Sequence, residues 1–135
     1  MREYRLELQA PPDTVDVMHD FLKSVWADHP VLESIDEAAF ETALAEIVSN
    51  VFKHNPPPVT CAVDTSVDES GIVATITDSG APVPGVLDDL GMPDAEAEGG
   101  RGLALVKLLT DRFTYERRGD VNVWTIARGS LGAHA

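Results

Sequence analysis

Apolar and polar residues alternate from the start of the chain. Tyr4, Leu6 and Leu8 interleave with Arg5 and Glu7, which predicts a half-buried strand over residues 2–9. Pro11-Pro12 end it, and Asp13 or Thr14 can cap a following helix. Val15, Val17-Met18, Phe21-Leu22 and Val25-Trp26 then recur at helical spacing as far as about His29-Pro30. A second helix is expected from near Ser34, with Glu37 completing a capping box, to about His54, where Pro56-Pro57-Pro58 stop it. Val59, Cys61, Val63, Thr65 and Val67 have the period of a strand, Glu69-Ser70-Gly71 that of a hairpin turn, and residues 72–77 form the return strand. Residues 80–98 hold three prolines, three glycines and five carboxylates with little periodicity, and read as a long mobile loop. Gly99-Gly100-Arg101-Gly102 then precede a helix, LALVKLLTD. A last hairpin follows, 112–118 and 121–128 around Gly119-Asp120, and the tail GSLGAHA is expected to fray.

The order β-α-α-β-β-loop-α-β-β joins neighbouring strands by tight turns. The three amphipathic helices need one shared apolar surface. The expected fold is therefore α/β: a two-layer sandwich of a mixed, mostly antiparallel sheet with helices on one face. The 135 residues fit a single domain, 1–135, able to bury a core without disulfides. The lone cysteine, Cys61, excludes an intrachain disulfide and reads as a small buried hydrophobe.

Charge narrows the function. Ten basic residues against 23 acidic ones give a net charge of −13, a surface that repels nucleic acid and anionic membrane. The largest basic cluster is Arg117-Arg118, so no direct nucleic-acid contact is expected. The N-terminal residues lack the apolar stretch of a signal peptide, and no segment reaches the roughly 18 apolar residues of a membrane span, so a cytoplasmic location is expected.

Three motifs carry chemistry. Glu46 and Asn50, with His54, fall on one face of the second helix, beside the apolar stripe Phe40, Leu44, Ile47 and Val51. A carboxylate and an amide bordering the core can accept a proton and hold Mg²⁺, although ExxxN alone is more often a solvated helix face. Asp78-Ser79-Gly80 end a strand, where a carboxylate can accept from an exocyclic amine; alone, this reads equally as a plain turn. Gly99-Gly100-Arg101-Gly102 open a helix, so backbone N–H groups can crowd around phosphate. This is neither a Walker loop nor a dinucleotide fingerprint.

Together, in this order, the three motifs resemble the N box and the two glycine boxes of the gyrase, chaperone, histidine-kinase and mismatch-repair ATPases, the GHKL superfamily with the Bergerat ATP-binding fold. ALAEIVSNVFKHN, TITDSGAPVPG, GGRGLALVKLLTDRFTYER and the closing Gly-Asp-Val-Asn turn resemble the anti-sigma-factor serine/threonine kinases, over residues 4–128. The resemblance implies ATP and Mg²⁺ as cofactors. It implies Asn50 as metal ligand, Glu46 as general base, Asp78 as the adenine-reading carboxylate and Gly80 as the glycine beside the ring. Gly99, Gly100, Arg101, Gly102 and Leu103 would line the phosphate loop, and Lys53 and His54 the basic end of the N box. Three departures stand out: Pro82 replaces a glycine, Asn122 replaces the superfamily's threonine on the last strand, and Asp88, Asp89, Asp94, Glu96 and Glu98 precede Arg101 without a base among them.

The implied activity is phosphoryl transfer to a serine or threonine of an anti-anti-sigma (STAS-type) protein, with sequestration of a sigma factor, by a homodimer. One alternative is a regulatory binding module, with or without nucleotide, that transfers no phosphate. Another is a kinase acting on a regulator unrelated to sigma factors.

Overall fold

The computed structural model describes residues 1–84 and 100–129, without the side chains of Gly100 and Arg101. Strand β1 (Arg2–Ala10) leads into helices α1 (Val15–Ala27) and α2 (Ser34–Lys53). The hairpin of β2 (Val59–Asp68) and β3 (Gly71–Asp78) follows, then α3 (Gly100–Leu109), β4 (Arg112–Arg118) and β5 (Val121–Gly129). The expected element order holds. The loop expected from 80 lies outside the described residues from 85 to 99, as does the tail from 130.

The five strands form one sheet in the order β1-β2-β3-β5-β4, and every pairing is antiparallel rather than mixed. The reason lies in the last hairpin. After α3 the chain enters the sheet at its edge as β4, and the tight turn at Gly119 brings β5 back between β4 and β3. The strand that would have paired parallel to β3 is thereby separated from it.

Period-two alternation aims one face of the sheet at the helices. Val59, Cys61, Val63 and Val67 of β2 and Ile72, Ala74 and Ile76 of β3 are buried there, with Trp124 and Ile126 of β5. Thr65 shares that face, and its buried hydroxyl has no hydrogen-bond partner. Helix α2 supplies Phe40, Ala43, Leu44, Ile47, Val48 and Val51 to the same core.

Packing, not capping, holds the helices. The expected capping box does not form: Glu33 is the N-cap, Ser34 is already helical, and no side chain caps the end. Glu37 instead sits near Glu41, and partial burial, reinforced by that neighbour's charge, raises its pKa. Thr14 caps α1 likewise without a side-chain bond. A cap contributes about 1 kcal/mol, whereas each fully buried Phe, Leu or Ile contributes roughly 1.5–3 kcal/mol, so the buried stripe of α2 outweighs the missing box.

Candidate functional site

The alternation that buries Ile72, Ala74 and Ile76 also places Asp78, the last residue of β3, on the helix side. The register puts Cys61, Asp78, Asn122 and Arg117 side by side across four strands. Behind them runs a second row of Val63, Ile76, Trp124 and Tyr115.

Asp78 is 1% exposed and takes three hydrogen bonds. Its Oδ1 accepts from the Gly80 N–H (2.7 Å) and from Asn122 Nδ2 (2.9 Å), and its Oδ2 from Trp124 Nε1 (2.7 Å). Hydrogen bonds to a charged group stabilise by about 1.5–3 kcal/mol each, enough to keep a buried carboxylate tolerable without a salt bridge. Across the strand pair, burial and then the charge of Asp78 push the Cys61 thiol up to about 12, so Cys61 is an inert core residue, as its sequence position suggests.

The segment after Asp78 is bonded at nearly every residue. Ser79 N–H donates to Thr60 O (3.0 Å), and Ser79 Oγ accepts from Thr60 N–H (2.9 Å). Arg117 Nη1 donates to Gly80 O (2.7 Å), Asn122 Nδ2 to Ala81 O (2.9 Å), and Val83 N–H to the Tyr115 hydroxyl (2.9 Å). Asn55 ties this segment to α2: its Oδ1 accepts from Ala81 N–H (2.8 Å) and its Nδ2 donates to Val51 O (2.9 Å). The Asn55 amide also fills the space where a Cβ at position 80 would stand, which gives Gly80 a local reason to be glycine.

The second half of the site lies where α2 meets α3. Helix α3 begins at Gly100, so Gly102 belongs to its first turn rather than to a loop before it. A Cβ on Gly102 would stand 2.5 Å from Glu46 Oε2 and 3.4 Å from Asn50 Nδ2. A Cβ there would displace the Glu46 carboxylate, and the structure thus brings Glu46, Asn50 and Gly102 together. The Asn50 Nδ2 is buried with no hydrogen-bond partner. Leu103 packs against the core. Lys53 is exposed and lines a cleft with Pro11, Pro12 and Pro57, on the side of α2 that carries Ser49 and Phe52. His54 is exposed, and its backbone N–H closes the helix onto Asn50 O (3.0 Å). Gly99 and the side chain of Arg101 lie outside the described residues.

The sequence profile of the family described as "Histidine kinase-like ATPase domain" matches residues 8–128. The chain belongs to that family. That family membership supports an activity of general kinase or ATPase type. The solved structure of Acinetobacter baumannii histidine kinase AdeS is similar in fold, with a TM-score of 0.51 over 96% of this chain and 68% of that one. At 13% identity that likeness concerns the fold alone. No curated protein sequence matches the chain. None of the described helices is long and apolar enough to cross a membrane.

Sequence reasoning missed Asn55, Tyr115, Arg117 and Trp124 in this ATPase domain. The available signal was the alternation of the last hairpin, which puts Tyr115 and Arg117 on one face; their partners depend on a register that alternation does not give.

Proposed function

We propose that this ATPase domain binds ATP with Mg²⁺ and transfers the γ-phosphoryl group to a serine or threonine hydroxyl of a protein partner. In this reading it is a kinase of the anti-sigma-factor type, a homodimer that also holds a sigma factor. The observation that carries it is the approach of the Gly102 backbone to Glu46 and to the buried, unpartnered Asn50 amide. A buried polar group without a partner costs about 1–3 kcal/mol, which a bound ligand recovers.

The residues fit the implied group. With no hydrogen bond to fix its orientation, the Asn50 amide can present its oxygen to a cation or its N–H to a phosphate oxygen. Among the described residues no three His, Cys, Asp or Glu side chains form a metal cluster, which suits a cation held by one amide oxygen, phosphates and water. Mg²⁺ bound there supplies charge neutralisation to the phosphates. The first N–H groups of a helix have no helical partners, and α3 opens at Gly100, in the turn whose Gly102 approaches Glu46 and Asn50.

Glu46, half-buried one turn before Asn50, accepts the proton of the attacking hydroxyl. The hydroxyl oxygen bonds to the γ-phosphorus, the bond to the bridging oxygen breaks, and ADP leaves. Asp78 accepts from the adenine amine.

A binding module without phosphotransfer is the second reading, favoured by five carboxylates between Asp88 and Glu98 with no basic residue among them. The deciding experiment incubates wild type and Glu46→Gln with Mg-ATP and a candidate STAS-type partner and weighs the partner by intact mass. The kinase reading expects one added phosphate with wild type and a rate about 10²–10⁴ lower with the variant, at unchanged ATP and partner binding. A Glu46→Gln protein as fast as wild type removes Glu46 as base; normal ATP binding by wild type without transfer to any partner leaves the binding module.

A further inference from the structure

The hydrogen bonds of Asp78 are unevenly divided between its two oxygens. A carboxylate oxygen offers about two lone pairs. Oδ1 already has two donors, Gly80 N–H and Asn122 Nδ2, while Oδ2 has one, Trp124 Nε1. An amine entering this site must therefore use Oδ2, the oxygen held by Trp124. We propose that Trp124 is the positioning residue that sets amino-purine selectivity in this domain, by fixing the one Asp78 oxygen with acceptor capacity to spare. The inference rests on the reading of Asp78 as the base-recognising carboxylate.

Trp124 is built for holding. It is 2% exposed. Its ring stacks with Phe113 at 6.2 Å and an interplanar angle of 8°, and meets Tyr115 at 4.6 Å and 54°. Tyr115 is itself fixed, donating through its hydroxyl to Asn122 Oδ1 at 2.5 Å. The indole N–H thus has one direction, and it meets Oδ2 at 2.7 Å. Without it, Oδ2 loses the one donor that fixes its direction, and a water in the donor's place competes with the incoming amine for that oxygen. The other tryptophan has a separate task, as Trp26 Nε1 donates to Glu41 Oε1 at 2.9 Å.

The test compares two ligands, ATP and purine riboside triphosphate, which differ only by the exocyclic amine. Wild type should prefer ATP. Trp124→Phe keeps an aromatic ring against Phe113 and Tyr115 but removes the N–H, and should cut that preference about tenfold while binding of the amine-free analogue changes little. A merely structural role would weaken both ligands together. If wild type prefers ATP and Trp124→Phe preserves the preference, the role of Trp124 is overturned while that of Asp78 stands. If wild type shows no preference, the reading of Asp78 falls and this inference with it. A second measurement works even if the variant does not fold. The Trp124 indole N–H resonance of the full chain, assigned with Trp26→Phe, should be protected from exchange and should shift with ATP more than with the amine-free analogue. Equal shifts with both would overturn the proposal.

Discussion

Replacing Gly102 by alanine separates the site from the fold. In a helix, alanine is favoured over glycine by up to about 1 kcal/mol. Against this stands the new Cβ, which would lie 2.5 Å from Glu46 Oε2. That oxygen is the far end of a flexible, half-buried side chain, so it swings away, and an off-rotamer torsion costs roughly 0.5–1.5 kcal/mol. The two terms nearly cancel, and Gly102→Ala should unfold within about 1 kcal/mol of wild type. The site does not escape so lightly. The Cβ also stands 3.4 Å from Asn50 Nδ2, over the amide that has no other partner. Losing one such polar contact costs about 1–3 kcal/mol, so Mg-ATP affinity should fall about tenfold or more. Paired urea melts and calorimetric ATP titrations read both quantities. Wild-type ATP affinity in Gly102→Ala would refute the reasoning, as would a loss of several kcal/mol of stability, which would make Gly102 a packing residue of the α2–α3 contact.

Two further outcomes follow from the core. Thr65→Val removes a buried hydroxyl with no partner at nearly constant volume, and should stabilise by about 1 kcal/mol, raising Tm by about 3 °C in thermal unfolding; an unchanged or lower Tm would mean that the hydroxyl is satisfied. The Cys61 thiol is raised by burial from its ordinary 9.0 to about 12, so the folded state keeps its proton where the unfolded state loses it. Its contribution to stability is full below pH 9 and is lost as pH rises toward 12, and alkylation at pH 8 should proceed only at the rate of unfolding; fast alkylation of the native protein would contradict this.

Much of the fold and part of the candidate site's geometry were legible in the sequence, for reasons visible in particular residues. The stripe Phe40, Leu44, Ile47 and Val51 is fully or almost fully buried, and the alternation through Ile72, Ala74 and Ile76 aims Asp78 inward, because local periodicity and burial coincide there. The start of α3 was misplaced by three residues. A first turn of Gly-Arg-Gly has no propensity to announce itself, and it is helical here because Gly102 packs on Glu46 and Asn50. The capping box at Ser34 failed for a related reason: burial of α2 fixes its end without help from Glu37. What stayed hidden was the set of partners around Asp78. Trp124 reaches it from 46 residues away, Tyr115 reaches Val83 from 32 and Asn55 reaches Ala81 from 26. The pairings of Trp124 and Tyr115 depend on β3 lying beside β5, and the hairpins alone do not specify that order.

The central claim is an adenine nucleotide site built on Asp78, and calorimetric titration of ATP into wild type and Asp78→Asn tests it most directly. The asparagine keeps the size of the side chain but replaces one acceptor oxygen by an N–H₂ facing buried donors. An unsatisfied pairing of this kind costs about 1–3 kcal/mol, so the variant should bind ATP about tenfold or more weakly, while wild type binds ATP in preference to GTP. Equal ATP affinity in the two proteins, or GTP bound by wild type as tightly as ATP, would contradict the account.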